Sequence, residues 1–347
     1  MPACRRITLK DIAAKLGVTH TTVSLALKNH HRISKARREQ IQRLAKQMGY
    51  VPDPFLSGLS AYRRRNALVN FQGTIAWIRH WQVINIRAKM AYHRNLWRGA
   101  CQAAKRFGYQ IEEFVWQQDL SAKRFEQILL ARGIQGILIQ PHNVVPDWAD
   151  FDWTKFSVIR FGMSVPVPDT NLVTADAFRS TAMAVRKIYE YGYRRIGMVV
   201  MEHDQRIGGN FQGGFLLAQA DLKLRPAIPP LVSNSGLYRD NPKEANRRLR
   251  QWLEKYRPNA ILTTEPHLPR QLRELHYRIP EDVAVAATNV HDVKVDAGID
   301  EPAEAVGRIA VEMLVKQINI SERGEPEDPC RILVEGRWQN GKSLPRL

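Results

Sequence analysis

From about residue 70 onward, short apolar runs alternate with amphipathic helical patterns, and this alternation limits the fold more than any other feature of the chain. "GTIAWI" (73–78), "YQIEEFVW" (109–116), "GILIQP" (136–141) and "FSVIRFG" (156–162) have the length and composition of strands. Helical stretches such as "LWRGACQAAKRFG" and "KRFEQILLARG" lie between them. A second series repeats the arrangement: "LVTAD" (172–176), "RIGMVVM" (195–201), "AILTTE" (260–265) and "VAVAATN" (283–289). Strands separated by helices pair in parallel, because the crossover helix returns the chain to the same end of the sheet. Two series therefore predict two parallel-sheet lobes, and 347 residues suffice for two or three units with cores of their own.

The first fifty residues follow a different pattern. Thr8 precedes an apolar stripe at Leu9, Ile12, Ala13 and Leu16, the spacing of one helix face. Asp11 supplies a capping-box variant, and Gly17 sits where the helix must stop. Thr19 can cap a second helix with Val23, Ala26 and Leu27 facing inward. Ser34 can cap a third, with Ile41, Leu44, Ala45 and Met48 inward and Gly49 as its stop. A turn of about three residues joins the first two helices, the helix-turn-helix arrangement whose second helix enters a DNA major groove.

Charge supports a polyanionic partner. The chain carries +18, and residues 1–65 hold 14 Lys or Arg against 3 Asp or Glu, a net +11. Each cation placed on a phosphate releases a condensed counterion, so a basic head favours nucleic acid.

"TLKDIAAKLGVTHTTVSLALKNHHRISKARREQIQRLAKQMGYVPDP" resembles the DNA-binding domain of the lac repressor family (LacI/GalR regulators). The D-I-A, G-V-T/S, T-V-S, I-S, T/A-R and G-Y-x-P landmarks fall in order and at that family's spacing. The resemblance implies phosphate contacts from Thr8, Thr22 and Ser24, and base contacts from His20, Thr21, Leu25 and Arg32. Many relatives carry Arg at the position of Leu25. Leucine cannot make a bidentate bond to guanine, but it can pack on a thymine methyl group, so an A·T pair is expected there.

"YVPDPFLSGLSAYRRR" follows. Pro52 and Pro54 disfavour helix before them, and Pro54 suits the first turn of a helix that starts there. By resemblance this is a hinge helix that orders on DNA. In a homodimer, two Leu59 side chains would wedge open the central minor-groove step. The expected organisation is a helix-turn-helix domain at 1–50, a hinge and linker at 51–66, and an effector-binding and dimerisation domain at 67–347.

"YGYRRIGMV" (191–199), "IPEDVAVAATN" (279–289), "IDEPAEAVGRIAVEML" (299–314) and "GRWQNGKSL" (336–344) are similar to markers of the family's regulatory region. That region has the two-lobed fold of periplasmic sugar-binding proteins, so the resemblance spans essentially the whole chain. It implies lobes of about 67–164 with 296–328 and about 167–290 with 332–347. The crossings are then expected near 163–167, 289–296 and 328–332. The resemblance also implies a small-molecule effector, of sugar type, bound in the cleft between them. Two effector contacts depart from the pattern. Phe211 in "NFQGGF" stands where relatives carry Arg, and Asn289 in "AATNV" stands where they carry Asp. Asp176 and Trp81 complete the expected cleft set.

Other chemistry is poorly supported. "GGNFQGG" lacks the Lys-Ser/Thr ending of a P-loop, and no His pair has metal-ligand spacing. Glu112-Glu113 and Glu281-Asp282 are sequence neighbours, which a strand or loop points apart, so neither makes an acid/base pair. Cys4, Cys101 and Cys330 are distant and odd in number, which argues against a disulfide framework. "MPACRRITLKD" lacks a signal-peptide pattern, and no apolar run reaches membrane-span length. The expectation is a cytoplasmic transcription repressor without cofactor, metal or enzymatic activity, binding a near-palindromic operator. Its rivals are a binding protein or enzyme on the same fold, and an architectural DNA-bending protein.

Overall fold

The computed structural model describes residues 7–27, 33–48, 50, 73–80, 90–141 and 147–347. The head contains α1 (Leu9–Leu16), α2 (His20–Leu27) and α3 (Lys35–Gln47). Ile12, Ala13, Val23, Ala26, Ile41 and Ala45 form its core, with Leu16, Leu27, Leu44 and Met48 packed around them. Gly17 ends α1 at φ 61°, a left-handed conformation that an L side chain resists. The third helix also ties down the ends of the other two. Arg37 donates to the Leu16 carbonyl at 3.3 Å, and Gln42 donates to the Ala26 carbonyl at 3.1 Å. Both carbonyls lie in last turns, which leave such groups unpaired within the helix. Ser34 holds the N-cap position of α3, but its side chain makes no cap bond.

The first sheet contains β1 (Gly73–His80), β2 (Tyr109–Trp116), β3 (Gly136–Ile139), β4 (Ser157–Phe161), β5 (Leu172–Ala175) and β11 (Arg331–Val334). Its order is β11-β5-β4-β3-β1-β2, and every pair is parallel. Three helices flank this sheet: α4 (Ala91–Arg106), α5 (Ala122–Ala131) and α11 (Ala303–Ile320). Successive residues of β1 serve opposite cores: Ile75 and Trp77 face one cluster, Ala76 and Ile78 the other. A parallel strand is covered on both faces, which is why these runs are continuously apolar.

The second sheet contains β6 (Ile196–Met201), β7 (Leu231–Ser233), β8 (Ala260–Thr263), β9 (Ala284–Ala287), β10 (Gly298–Asp300) and β12 (Arg337–Gln339). Its order is β12-β10-β9-β8-β6-β7, with only the β10–β12 pair antiparallel. On one face α6 (Ala177–Glu190) and α7 (Asn210–Asp221) cover it; α9 (Pro242–Tyr256) and α10 (Leu268–Glu274) cover the other, and the short α8 (Ser235–Asp240) precedes α9.

The lobe boundaries differ from those expected. Strand β5 belongs to the first sheet and β10 to the second, so the chain crosses at about 175–177, 300–303 and 334–337. The crossings expected near 163–167, 289–296 and 328–332 each come too early. A three- or four-residue strand does not show in its sequence which sheet it joins; that depends on backbone pairing with distant partners. Here Leu172–Ala175 pairs with Arg331–Val334, and Gly298 pairs with Ala287.

Helices α4 and α11 pack at backbone contact. A Cβ added to Gly99 would sit 2.1 Å from the Glu304 carbonyl oxygen, and one added to Gly307 would sit 2.1 Å from that of Leu96. Only hydrogen side chains permit this approach. Trp77 is 1% exposed and packs edge-on to Trp97, so it is a core residue of the first lobe. Glu113 pairs with Arg79 at 3.2 Å and Glu112 with Arg132 at 2.6 Å, so the neighbouring acids have separate partners.

Candidate functional site

The head presents an ordered N-terminal surface. Thr8 and Asp11 complete a reciprocal capping box: the Asp11 amide reaches Thr8 Oγ1 at 3.4 Å, and the Thr8 amide donates to Asp11 Oδ2 at 2.8 Å. The Thr8 hydroxyl also donates to Asp11 Oδ2 at 2.7 Å, so it must turn away to meet a phosphate. Thr19 caps α2 by accepting from the Thr22 amide at 3.1 Å, and the two hydroxyls lie 2.9 Å apart. His20 and Thr21 are exposed; Thr22, Ser24 and Leu25 are half-buried, while Val23 and Ala26 face the core. The expected contact face is thus turned away from the three-helix core. Helix α2 carries no acidic residue in its first turn and no basic residue in its last. Basic residues in the head lie instead on helices such as α3, which packs against α2 and carries Lys35, Arg37, Arg38, Arg43 and Lys46. Arg32 and Leu59 lie outside the described residues.

Between the lobes, the expected cleft residues have more defined roles than the sequence suggested. Asp176 is 5% exposed and caps α6, accepting from the Arg179 amide at 2.9 Å. It stands at the first crossing. Phe211 lies in the first turn of α7, packs partly buried against the second-lobe core, and donates its amide to Asp204 at 3.1 Å. Asn289 is 8% exposed at the end of β9. Its Nδ2 donates to Asp292 Oδ2 at 3.2 Å and to Glu301 Oε2 at 2.9 Å, while its Oδ1 accepts from the His291 amide at 2.9 Å. Trp81 lies outside the described residues.

Three further groups that sequence reasoning missed join this region, and a fourth, Gln140, lies in the first-lobe core. Asp292 accepts from the amides of Ala91 at 2.5 Å and Tyr92 at 3.4 Å, across the cleft in the first lobe. Burial raises its pKa, opposed by those two amides. Glu301 is pushed up to about 8 by burial and by the Asp292 carboxylate, so near neutrality it holds a proton. Asn210 approaches Met163 Sδ at 3.4 Å, a second contact between lobes. Gln140, fully buried just past β3, accepts from Trp77 Nε1 at 2.9 Å while its own Nε2 has no partner. The sequence signal for the first two is slight: Asp292 lies three residues beyond Asn289, and Glu301 belongs to the "IDEPAEAVG" marker.

Among the described residues, no group of three or more His, Cys, Asp or Glu could hold a metal ion, and no helix is long and apolar enough to cross a membrane.

A helix-turn-helix head followed by two lobes with mainly parallel sheets is an architecture suited to DNA-binding regulators. Residues 8–53 match the profile of bacterial regulatory proteins of the lacI family, and residues 185–344 match a periplasmic binding protein-like domain. The transcriptional regulator CelR of Thermobifida fusca is 24% identical over 345 residues, covering 95% of this chain and 96% of CelR. The transcriptional repressor PurR of Escherichia coli O139:H28 (strain E24377A / ETEC) is 21% identical over 335 residues, covering 92% of each chain. Among solved structures, a CelR–cellobiose complex superposes with a TM-score of 0.60 at 21% identity, covering 97% of this chain and 100% of that one. A lac repressor dimer bound to operator and the anti-inducer ONPF gives 0.56 at 14% identity, covering 98% and 100%. The chain thus combines a lacI-family helix-turn-helix head with a periplasmic binding protein-like domain. Its relatives are transcription regulators, not enzymes.

Proposed function

We propose that this protein is a sequence-specific transcription repressor that binds a near-palindromic operator as a homodimer and acts in the cytoplasm. The observation that carries this reading is the Thr19-capped α2 helix, whose exposed His20 and Thr21 stand opposite the buried Val23 and Ala26. In this reading His20, Thr21, Leu25 and Arg32 contact bases, and Thr8, Thr22 and Ser24 hold phosphates. One short reading helix makes few base contacts, so two heads on a palindrome supply the specificity. Leu59, in a hinge at 51–66, wedges the central minor-groove step. The region 67–347 senses a small molecule and dimerises. Phe211 and Asn289 contact the effector, with Asp176 and Trp81 lining the cleft.

The CelR relative, solved with cellobiose, supports a sugar-type effector. An aromatic ring at 211 and amide and carboxyl groups at 289, 292 and 301 suit a neutral polyhydroxylated ligand, which offers ring faces and hydroxyl donors.

Selection of bound sequences from a random DNA pool tests the central reading. The expected product is a palindromic consensus bound at least a thousandfold more tightly than random DNA at the same salt. Binding that stays unselective and depends steeply on salt alone would overturn it. Calorimetry with mono- and disaccharides, followed by operator titration with each binder, tests the effector.

A further inference from the structure

Helix α4 lacks the start signals that other helices of this chain carry. Its N-cap is Met90, whose side chain makes no cap bond, and its first turn has no acidic residue. By contrast Thr8, Ser121, Asp176, Asn234 and Asn241 each cap their own helices. The missing cap comes from the other lobe. Asp292, just beyond β9, places Oδ1 at 2.5 Å from the Ala91 amide and at 3.4 Å from that of Tyr92, with Oδ2 also 3.4 Å from the latter.

The carboxylate is itself held in place. Asn289 Nδ2 donates to Asp292 Oδ2 at 3.2 Å and to Glu301 Oε2 at 2.9 Å, tying the end of β9 to the second crossing. His291, next to Asp292, faces Asp300 at 2.8 Å, and the Arg94 charge lies on the α4 side. The polar groups that a cleft ligand would need, above all the Asn289 amide, are therefore bonded to the protein's own side chains.

We propose that Asp292 is an interlobe latch: a carboxylate of the second lobe that caps α4 of the first and holds the lobes in this relative orientation. An uncapped helix start leaves its amides without partners, so rotating the lobes apart exposes the first turn of α4. The orientation of the lobes is then biased by the chain itself, and a ligand acts by reinforcing or displacing the Asp292 contact. That last step rests on the effector reading above; the latch does not.

Hydrogen exchange on the full-length protein tests it, comparing Asp292→Ala and Asp292→Asn with the parent. The amides of Ala91 and Tyr92 are expected to exchange about five- to tenfold faster in Asp292→Ala and by a smaller factor in Asp292→Asn, which keeps one acceptor oxygen. Peptides from β8 and from the middle of α11 should keep their protection, which separates latch release from misfolding. Small-angle scattering should show a larger radius of gyration for both variants. Unchanged exchange at Ala91 and Tyr92 in a folded Asp292→Ala protein would overturn the latch, and so would faster exchange spread evenly over both lobes in both variants. Operator affinity measured on the same samples addresses the other reading. Faster exchange with unaltered operator binding supports the latch and counts against lobe orientation as the regulatory signal.

Discussion

The Asn289 side-chain amide lies 2.9 Å from Glu301 Oε2, joining the end of β9 to the second crossing between the lobes. One nitrogen thereby serves both Glu301 and Asp292, and the two acids divide the work. Asp292 accepts from the amides of α4, while burial and the neighbouring Asp292 charge keep Glu301 protonated up to about pH 8.

This arrangement makes stability depend on pH. The Glu301 pKa is raised on folding, so its contribution is fully present below the ordinary value of 4.5 and is lost as pH rises through about 8. Asp292 is raised too, which adds a change of the same sign above its ordinary 3.8. Asp300 also faces Glu301, and Arg94 and His291 face Asp292. Urea midpoints between pH 5 and 8.5 should therefore fall with pH, and Glu301→Gln should flatten most of that slope.

In the proposed reading, Leu25 sets one operator position. Replacing it with Arg should change the preferred base pair there from A·T to G·C, with discrimination of about 1–3 kcal/mol, and leave the other half-site positions in place. Parallel site selections with both proteins check this. Identical consensus sequences would show that residue 25 does not face a base.

The capping box at Thr8 should be worth about 1 kcal/mol to the head. Thr8→Ala removes the hydroxyl from Asp11 and leaves the first amides of α1 short of a partner. Faster hydrogen exchange in α1, with no change in either lobe, is the expected result. Operator affinity should also drop, because the proposed function has the same residue hold a phosphate.

Gly307→Ala should loosen the first lobe. Its new Cβ would meet the Leu96 carbonyl oxygen at 2.1 Å and the Ala100 amide nitrogen at 2.8 Å, both rigid backbone atoms. Overpacking of this kind costs about 1–3 kcal/mol. A lower urea midpoint with unchanged head-to-DNA contacts would fit, whereas Gly133→Ala has open space around it and suffers only from its positive φ of 69°.

Local features were the most legible in the sequence. The Thr8 capping box, the Gly17 stop and the Val23–Ala26 face follow from residues within one or two turns of each other. Strand β2 occupies the run 109–116 read from its apolar pattern, and β1 extends that reading by two residues, to His80. The short strands β7, β10, β11 and β12 were missed. Three or four residues carry too little pattern, and β11 and β12 alternate exposed with half-buried positions. At the cleft, Asn289 and Asp176 were expected as ligand-facing residues, but their bonds to the protein were not. A residue type alone cannot tell an amide facing a ligand from one bonded to two carboxyl groups.

By itself the sequence determined the head, the two-series alternation and the family resemblance, because each rests on spacing within a helix or strand. Tertiary structure alone decided which lobe each short strand joins and which residue caps α4. Ala91 and Asp292 are 201 residues apart in the chain. No local pattern links them; they meet because the crossings at about 175–177, 300–303 and 334–337 bring the end of β9 over the start of α4.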